Sequence, residues 1–377
     1  MKNSVLILWY VLVILGCNSQ TRENTVRTET LESVIAKFED QLNNELENYG
    51  SISGAIVVDN QVIWSKAFGV SDSDKATKAD TTTIYRTGSI SKPITAFLMM
   101  QLVQEGTITL SDPVELYLPE IKKLDGYSDA RRITFQHLAA HTSGLIREPK
   151  QKDAAAGPIA EWEAKVLESI ANTSFQYDPE ERFSYSNIGY GILGLALSRA
   201  ADKPFMELIE EKIFEPLQMD NSYFIVPEDQ IFRLSKGLET GPDGKLDREK
   251  PQREHMGRGY KVPNGGIYST PNDLAKFILC NLGLSVKLLS RNNLSRMQTI
   301  QTPKGEGQAY GLGFGIQQDS VLTVIGHSGG VAGYRANLAF DKDRGNGVVL
   351  MKNYSADSPN ISKLSFNLLK ELAQLDE

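Results

Sequence analysis

The sequence predicts an α+β fold: one antiparallel sheet built from both chain ends, flanked by N- and C-terminal helices, with an inserted, mainly helical subdomain. Two observations carry this. Strand-like runs occur near the start, in "SISGAIVVDNQVIWSKAFGV", and return in the last third as "YGLGFGIQ", "SVLTVIGHS", "YRANLAFD" and "GVVLMKN". Between them, from about Ser89 to Asn221, the pattern is mainly helical. Strands at both ends of a helical stretch imply a sheet in which the two ends meet. The boundary between sheet and insert is a natural place for a small-molecule cleft.

The elements follow in order. "LESVIAKFEDQLNNEL" places Leu31, Val34, Ile35, Phe38, Leu42 and Leu46 along one helical face. Asp59-Asn60 joins the first two strand-like runs as a hairpin turn. "SKPITAFLMMQLVQEG" reads as a helix ending at Gly106. Pro93 lacks a backbone donor and so belongs to its first turn, which puts Ser89 at the helix start. "SDPVELYLPEI", "TFQHLAAH", "AEWEAKVLESIA" and "YGILGLALSRAADKPFMELIEEKIF" continue the helical pattern, and "ISKLSFNLLKELAQL" is the closing helix. Arg147–Gly157 and Glu228–Arg258 are polar and read as surface loops. The folded domain is therefore expected over 31–375, its sheet part at about 31–88 and 260–375 and its helical part at about 89–259.

A hydrophobic content of 41% and a charged content of 23% are those of a soluble globular protein. The net charge of −7, with no basic stripe interleaved with aromatics, argues against nucleic acid as a partner. The first residues, "MKNSVLILWYVLVILGC", hold one lysine and an apolar run from Val5 to Leu15. That run is too short to span a bilayer and fits the core of a signal peptide. Ile14-Leu15-Gly16-Cys17 resembles the bacterial lipobox, so residues 1–17 are expected to be a lipoprotein signal peptide with Cys17 the lipidated residue. Residues 18–30 would then be a polar tether. The expected location is that of an exported lipoprotein, membrane-anchored through its lipid and facing the periplasm or cell surface. Cys280 is then left without a partner, so no intrachain disulfide is expected; in "LAKFILCNL" it reads as a buried small hydrophobe.

Three patterns compete for the chemistry. "GHSGG" (Gly326 to Gly330) matches a nucleophile elbow, but that fold needs a histidine after the serine, and none of His137, His141, His255 and His327 follows Ser328. "HLAAH" sets His137 and His141 four apart, a zinc-like spacing, yet Leu138 stands where a metalloprotease has glutamate, so both histidines read as structural and no metal is expected. "TGSISKP" lacks the ending of a phosphate loop. It does place Ser89 and Lys92 three apart, neighbours on a helix. A serine there is a plausible cap. It is also a possible nucleophile, because burial lowers a lysine pKa far enough to make the amine a base. A helix start adds free N–H groups for an oxyanion.

Further motifs decide between cap and nucleophile. Ser89-Ile90-Ser91-Lys92 is the sequence's one S-x-x-K, Tyr185-Ser186-Asn187 its one Y-x-N, and His327-Ser328-Gly329 follows a strand near the C-terminus. This ordered set resembles the serine β-lactamase and DD-peptidase superfamily, on the branch of class C β-lactamases, D-amino-acid peptidases and related esterases. "ITFQHLAAHTSGL", "YSNIGYGILGLAL", "NGGIYSTPNDLAKF" and "GHSGGVAGY" agree, and the resemblance covers roughly residues 35–370.

The resemblance implies roles. Ser89 is the nucleophile, and Lys92 and Tyr185 are the proton-transfer pair, either being the base. Asn187 bonds the substrate and holds Lys92. His327, Ser328 and Gly329 line the substrate site. The N–H groups of Ser89 and Gly330 form the oxyanion hole. No cofactor is implied. One departure stands out: β-lactamases of this branch usually carry lysine where this chain has His327. A neutral imidazole favours an esterase or a peptidase on D-amino-acid or other small amides. Arg335 is the candidate for the missing charge. Alternatives are a class C-type β-lactamase or DD-carboxypeptidase, and a non-catalytic homologue that binds cell-wall peptides. The expected partner is a small-molecule or peptide substrate; oligomeric state is left open.

Overall fold

The computed structural model describes residues 30–375 except Pro242. The expected signal peptide, Cys17 and all of the tether but Thr30 lie outside the described residues. Seven strands form the main sheet: β1 (Ser51–Val58), β2 (Gln61–Asp72), β3 (Thr77–Lys78), β8 (Gly315–Gln318), β9 (Thr323–Val331), β10 (Tyr334–Asp341) and β11 (Asn346–Lys352). Their spatial order is β3-β2-β1-β11-β10-β9-β8. β1 pairs antiparallel with β11, Gly54 opposite Leu350, so both chain ends build one sheet as predicted. Two short ribbons stand outside it, β4 (Tyr85–Arg86) with β7 (Tyr268–Ser269) and β5 (Glu239–Thr240) with β6 (Leu246–Asp247).

The N-terminal helix α1 (Leu31–Glu45) starts in a capping box between Thr30 and Ser33 and buries Val34, Phe38 and Leu42. With the C-terminal helix α11 (Ile361–Leu375) it covers one sheet face, where Ile52, Ile56, Val348 and Leu350 meet Phe38 and Leu368. Ala55, Val57, Val349 and Met351 point to the other face and join a larger core under the helical layer. Strands covered on both faces read as unbroken apolar runs rather than alternating ones, hence "AIVV" and "VVLM".

The helical layer contains α2 (Ser91–Gln104), α3 (Phe135–Ala139), α4 (Trp162–Ile170), α5 (Asn187–Ala200), α6 (Phe205–Ile209), α7 (Glu249–Arg253) and α8 (Val262–Gly265). It is followed by α9 (Pro271–Asn281) and α10 (Arg291–Met297). Every residue of α2 from Ser91 to Leu102 is buried. A helix enclosed on all sides has no polar face, and the lysine in its first turn, Lys92, has no exposed surface.

Three expectations change. "SDPVELYLPEI" forms two 3₁₀ turns, Val114–Leu116 and Pro119–Lys123, because Pro113 and Pro119 interrupt α-helical bonding. The helical layer runs on through α8, and α9, inside the expected sheet part, packs on β1 and β11. Glu228–Arg258 is no plain surface loop: it carries the β5–β6 ribbon and α7, and it buries Leu238 and Pro251. The Asp59-Asn60 turn forms as read, both residues at positive φ and β1 paired to β2 across it. Cys280 is free and buried in α9. Among the described residues, no helix is long and apolar enough to cross a membrane.

Candidate active site

Ser89 lies in a 3₁₀ turn, Gly88–Ile90, that runs directly into α2. Its hydroxyl serves no helix end; it faces Lys92, whose Nζ stands 3.2 Å away. Gly88 takes φ +55°, and a Cβ there would come within 2.9 Å of the Gly330 nitrogen. A Cβ on Gly329 would overlap the Thr87 carbonyl oxygen. Only glycines allow β9 to close so tightly on the turn, which gives "GS" and "HSGG" a shared physical cause. Gly330 pairs with Arg335 one step from the Val331–Tyr334 pair that closes the β9–β10 hairpin. Alternate antiparallel pairs exchange hydrogen bonds, so the Gly330 N–H points away from β10, toward the Ser89 turn.

Lys92 is fully buried. Besides Ser89, its Nζ reaches Asn187 Oδ1 at 2.8 Å and the Asn264 carbonyl at 3.4 Å. Its pKa falls well below the usual lysine range, chiefly through burial and further through Arg147, Lys261 and Arg258, with Glu148 opposing. Two carbonyl oxygens and one hydroxyl thus surround the amine, which has no exposed surface.

Tyr185 comes from the stretch preceding α5, where the Ser186 side chain caps Gly189 N–H at 3.0 Å. Its ring centroid lies 4.7 Å from Lys92 Nζ, 4.8 Å from the Arg147 guanidinium carbon and 4.2 Å from the His141 ring centre. Burial pushes the phenol up to about 12, although the Ser89 contact and Arg147 pull it down. Asn187 does not line the cavity beside Ser89; its amide stands between Lys92 and Glu148, donating to Glu148 Oε1 at 2.6 Å. Its position suits holding Lys92.

The cavity measures about 490 Å³ and lies between sheet and helical layer, with Arg147, Tyr185, Tyr310, His327, Asn337 and Ser362 among its walls. His327 Nδ1 sits 2.7 Å from the Ser328 carbonyl. A carbonyl only accepts, so this nitrogen carries the proton and Nε2 is an acceptor. Desolvation and the Lys92 charge hold the imidazole pKa well below its usual range, against the pull of the Ser328 contact. The Ser328 hydroxyl donates to Asn337 Oδ1 at 3.1 Å and meets Ser362 Oγ from α11 at 2.9 Å. Arg335 is not among the lining residues; it packs beside Gly330, its guanidinium bonded to the carbonyls of Val331 and Tyr334. Among the described lining residues, Arg147 is the one formal charge.

Sequence reasoning missed Arg147 and Glu148, which open the stretch expected to be a surface loop. Glu148 accepts from Asn187, Tyr260 and Lys261. Burial raises its pKa, but Tyr260, Lys261 and Asn187 together hold it below the usual carboxylate range. The signal available was their place just past "HTSGLI". His137 and His141 do not converge, because α3 ends at Ala139. His137 Nε2 meets Glu180 at 2.8 Å, while His141 Nδ1 accepts from Ser186 N–H at 3.1 Å.

The chain also resembles known proteins. A family model described as Beta-lactamase matches residues 38–367. The chain is 27% identical over 372 residues to Beta-lactamase-like protein 2 of Dictyostelium discoideum, covering 95% of this chain and 66% of that one. It is 27% identical over 338 residues to the D-alanyl-D-alanine-carboxypeptidase/endopeptidase AmpH of Escherichia coli K12, covering 84% of each. Against Beta-lactamase-like protein 4 of D. discoideum it spans 58% of the relative's length, so the slime-mould relatives are substantially longer. The octameric penicillin-binding protein homologue from Pyrococcus abyssi superposes with a TM-score of 0.75 at 26% identity, over 92% of this chain and 78% of that one. A β-lactamase/D-alanine carboxypeptidase from Yersinia pestis, solved with citrate, shares the fold at TM-score 0.74 and 24% identity, over 91% and 98%.

Proposed function

The chain belongs to the β-lactamase family, and from that premise we propose that it is a serine hydrolase working through an acyl-enzyme on ester or D-amino-acid-type amide bonds. One observation carries the reading: the amine of Lys92, buried and shifted toward its neutral form, stands 3.2 Å from the Ser89 hydroxyl.

In this reading the Ser89 proton passes to Lys92 Nζ as Oγ bonds the substrate carbonyl carbon. The N–H groups of Ser89 and Gly330 take up the charge that develops on the carbonyl oxygen. Tyr185, protonated at neutral pH, gives its proton to the departing alkoxide or amine and is reprotonated from Lys92. Water then adds to the acyl carbon, its proton returning through the same pair, and Ser89 is released. The raised phenol and the lowered amine support Lys92 as the acceptor and Tyr185 as the relay.

Substrate preference follows from two side chains. A neutral His327 with Nε2 as acceptor offers no fixed charge to a carboxylate, which favours neutral esters and amides over β-lactams. Arg147 supports a second reading, a carboxypeptidase on D-amino-acid peptides, because it alone gives the cavity a cation for a carboxylate-bearing substrate. Intact-mass analysis after incubation with a fluorophosphonate, a nitrophenyl ester panel and a penicillin tests the proposal. Adducts are expected on the wild type and none on Ser89→Ala. A folded wild type that acquires no adduct would instead identify a binding protein. For Cys17, loss of membrane fractionation in Cys17→Ser tests the proposed lipid anchor.

A further inference from the structure

A second cavity, of about 550 Å³, shares no lining residue with the one beside Ser89. Its polar floor is unusual in charge. Arg86, from β4, is 2% exposed, and its Nη1 reaches Glu254 Oε2 at 3.0 Å. Arg258 reaches the same oxygen with Nε at 3.4 Å and donates from Nη1 to the Gly265 carbonyl at 3.0 Å. Two guanidiniums thus lean on one carboxylate oxygen. His255 adds no charge, since burial and Arg86 hold its pKa near 4, and its Nδ1 meets the Tyr268 hydroxyl at 2.8 Å.

The other charged lining residues do not correct the imbalance. Lys236 and Arg248 share Asp74, and Lys236 also reaches Asp72. The walls are mostly apolar, among them Phe224, Val226, Leu234 and Pro251. At the mouth Ile225, Ile231 and Met256 are 63%, 53% and 75% exposed, with Phe232 beside them at 77%. Large apolar side chains gathered at an opening mark an interaction site rather than ordinary surface.

We propose that this cavity is a second ligand site, taking a single-chain amphiphile whose carboxylate pairs with Arg86 and Arg258 and whose alkyl tail lies along the apolar wall. The carboxylate balances the floor, and two forked donors suit its geometry. The tail covers surface that is otherwise exposed to water. The volume is within the range of small-molecule sites. The inference is independent of what Ser89 does.

Calorimetric titration of the full chain with decanoate below its micellar concentration tests the proposal, with decanol and decyltrimethylammonium as controls. Decanoate is expected to saturate one site, tighter than either control by roughly tenfold or more, as a charge-assisted pair requires. Arg258→Gln should weaken decanoate by a similar factor. Because that change also removes a partner of Glu254, the double variant Ile225→Asp/Met256→Asp provides a mouth-only test and should weaken binding at least as much. Equal affinity for the cationic amphiphile, or undiminished binding in the double mouth variant, overturns the site. Sedimentation with phosphatidylglycerol vesicles without saturable decanoate binding overturns it too, since the patch would then be a membrane-contacting surface.

Discussion

Replacing Lys92 by methionine separates the stability cost of the site from its chemistry. Met is a volume-conserving choice for an enclosed helix position. Two effects oppose each other at any fixed pH. The substitution relieves the burial of an ionisable group, yet it leaves Asn187 Oδ1 and the Asn264 carbonyl without this donor, at about 1–3 kcal/mol each. The pH dependence is free of that competition. Lys92 has a folded pKa well below its unfolded value of about 10.4. Between those two values the unfolded chain binds one proton more than the folded chain, so wild-type stability rises with pH there. It rises by about 1.4 kcal/mol per pH unit relative to Lys92→Met. Below the folded pKa the difference is constant, and above the unfolded pKa it is constant again. Urea unfolding of both proteins from about pH 6 to about pH 9 measures the slope. Ester turnover in the variant should fall by roughly 10²–10⁴, the range of a lost general base. Parallel stability profiles would mean that the amine is charged in the folded protein, and the assignment of Lys92 as base would fail.

Three further outcomes are expected. His327→Lys should leave kcat/KM on a neutral ester equal or lower while raising penicillin acylation about tenfold, since a fixed charge would then face the carboxylate; a wild type that already prefers penicillin, with no gain from lysine, contradicts the preference for esters or peptides. Arg147→Gln should weaken a carboxylate-bearing substrate by about tenfold relative to its neutral analogue. Removing that positive charge also raises the Lys92 pKa, so the acid limb of the pH–rate profile should move to higher pH; an unmoved limb would place Arg147 outside the field of the amine. Gly329→Ala should abolish Ser89 labelling by a fluorophosphonate, because the new methyl overlaps the Thr87 carbonyl and pushes β9 off the turn; normal labelling would show that the close approach is dispensable.

Features set by near neighbours in sequence were legible. The Asp59-Asn60 turn, the α11 boundaries and the two-faced apolar strands follow from local pattern. Ser89 with Lys92, Tyr185 with Asn187, and His327 with Gly329 are each short enough to read as motifs. Partners brought from afar were not legible. Asn187 meets Lys92 from 95 residues away, Tyr260 meets Glu148 from 112, and the Asn264 carbonyl meets Lys92 from 172. No composition signal distinguishes Arg147-Glu148 from other charged pairs at a loop start. Arg335, a candidate site cation from its place in "GYRANL", has its guanidinium held by local carbonyls. The cavity floored by Arg86 and Arg258 hid for the same reason, its two guanidiniums meeting only through Glu254.

The pairing of β1 with β11 also constrains how the protein is made. Ser51 N–H bonds Asn353 Oδ1 across 302 residues, so the centre of the sheet cannot form until almost the whole chain has been synthesised. Until then the β1–β2 hairpin emerges with one open edge, and the apolar residues that α11 will cover remain exposed. Such long-range closure folds slowly and leaves the unfinished chain prone to aggregation. The same delay leaves a chain ending before Asn346 without the strand that joins the sheet's two halves.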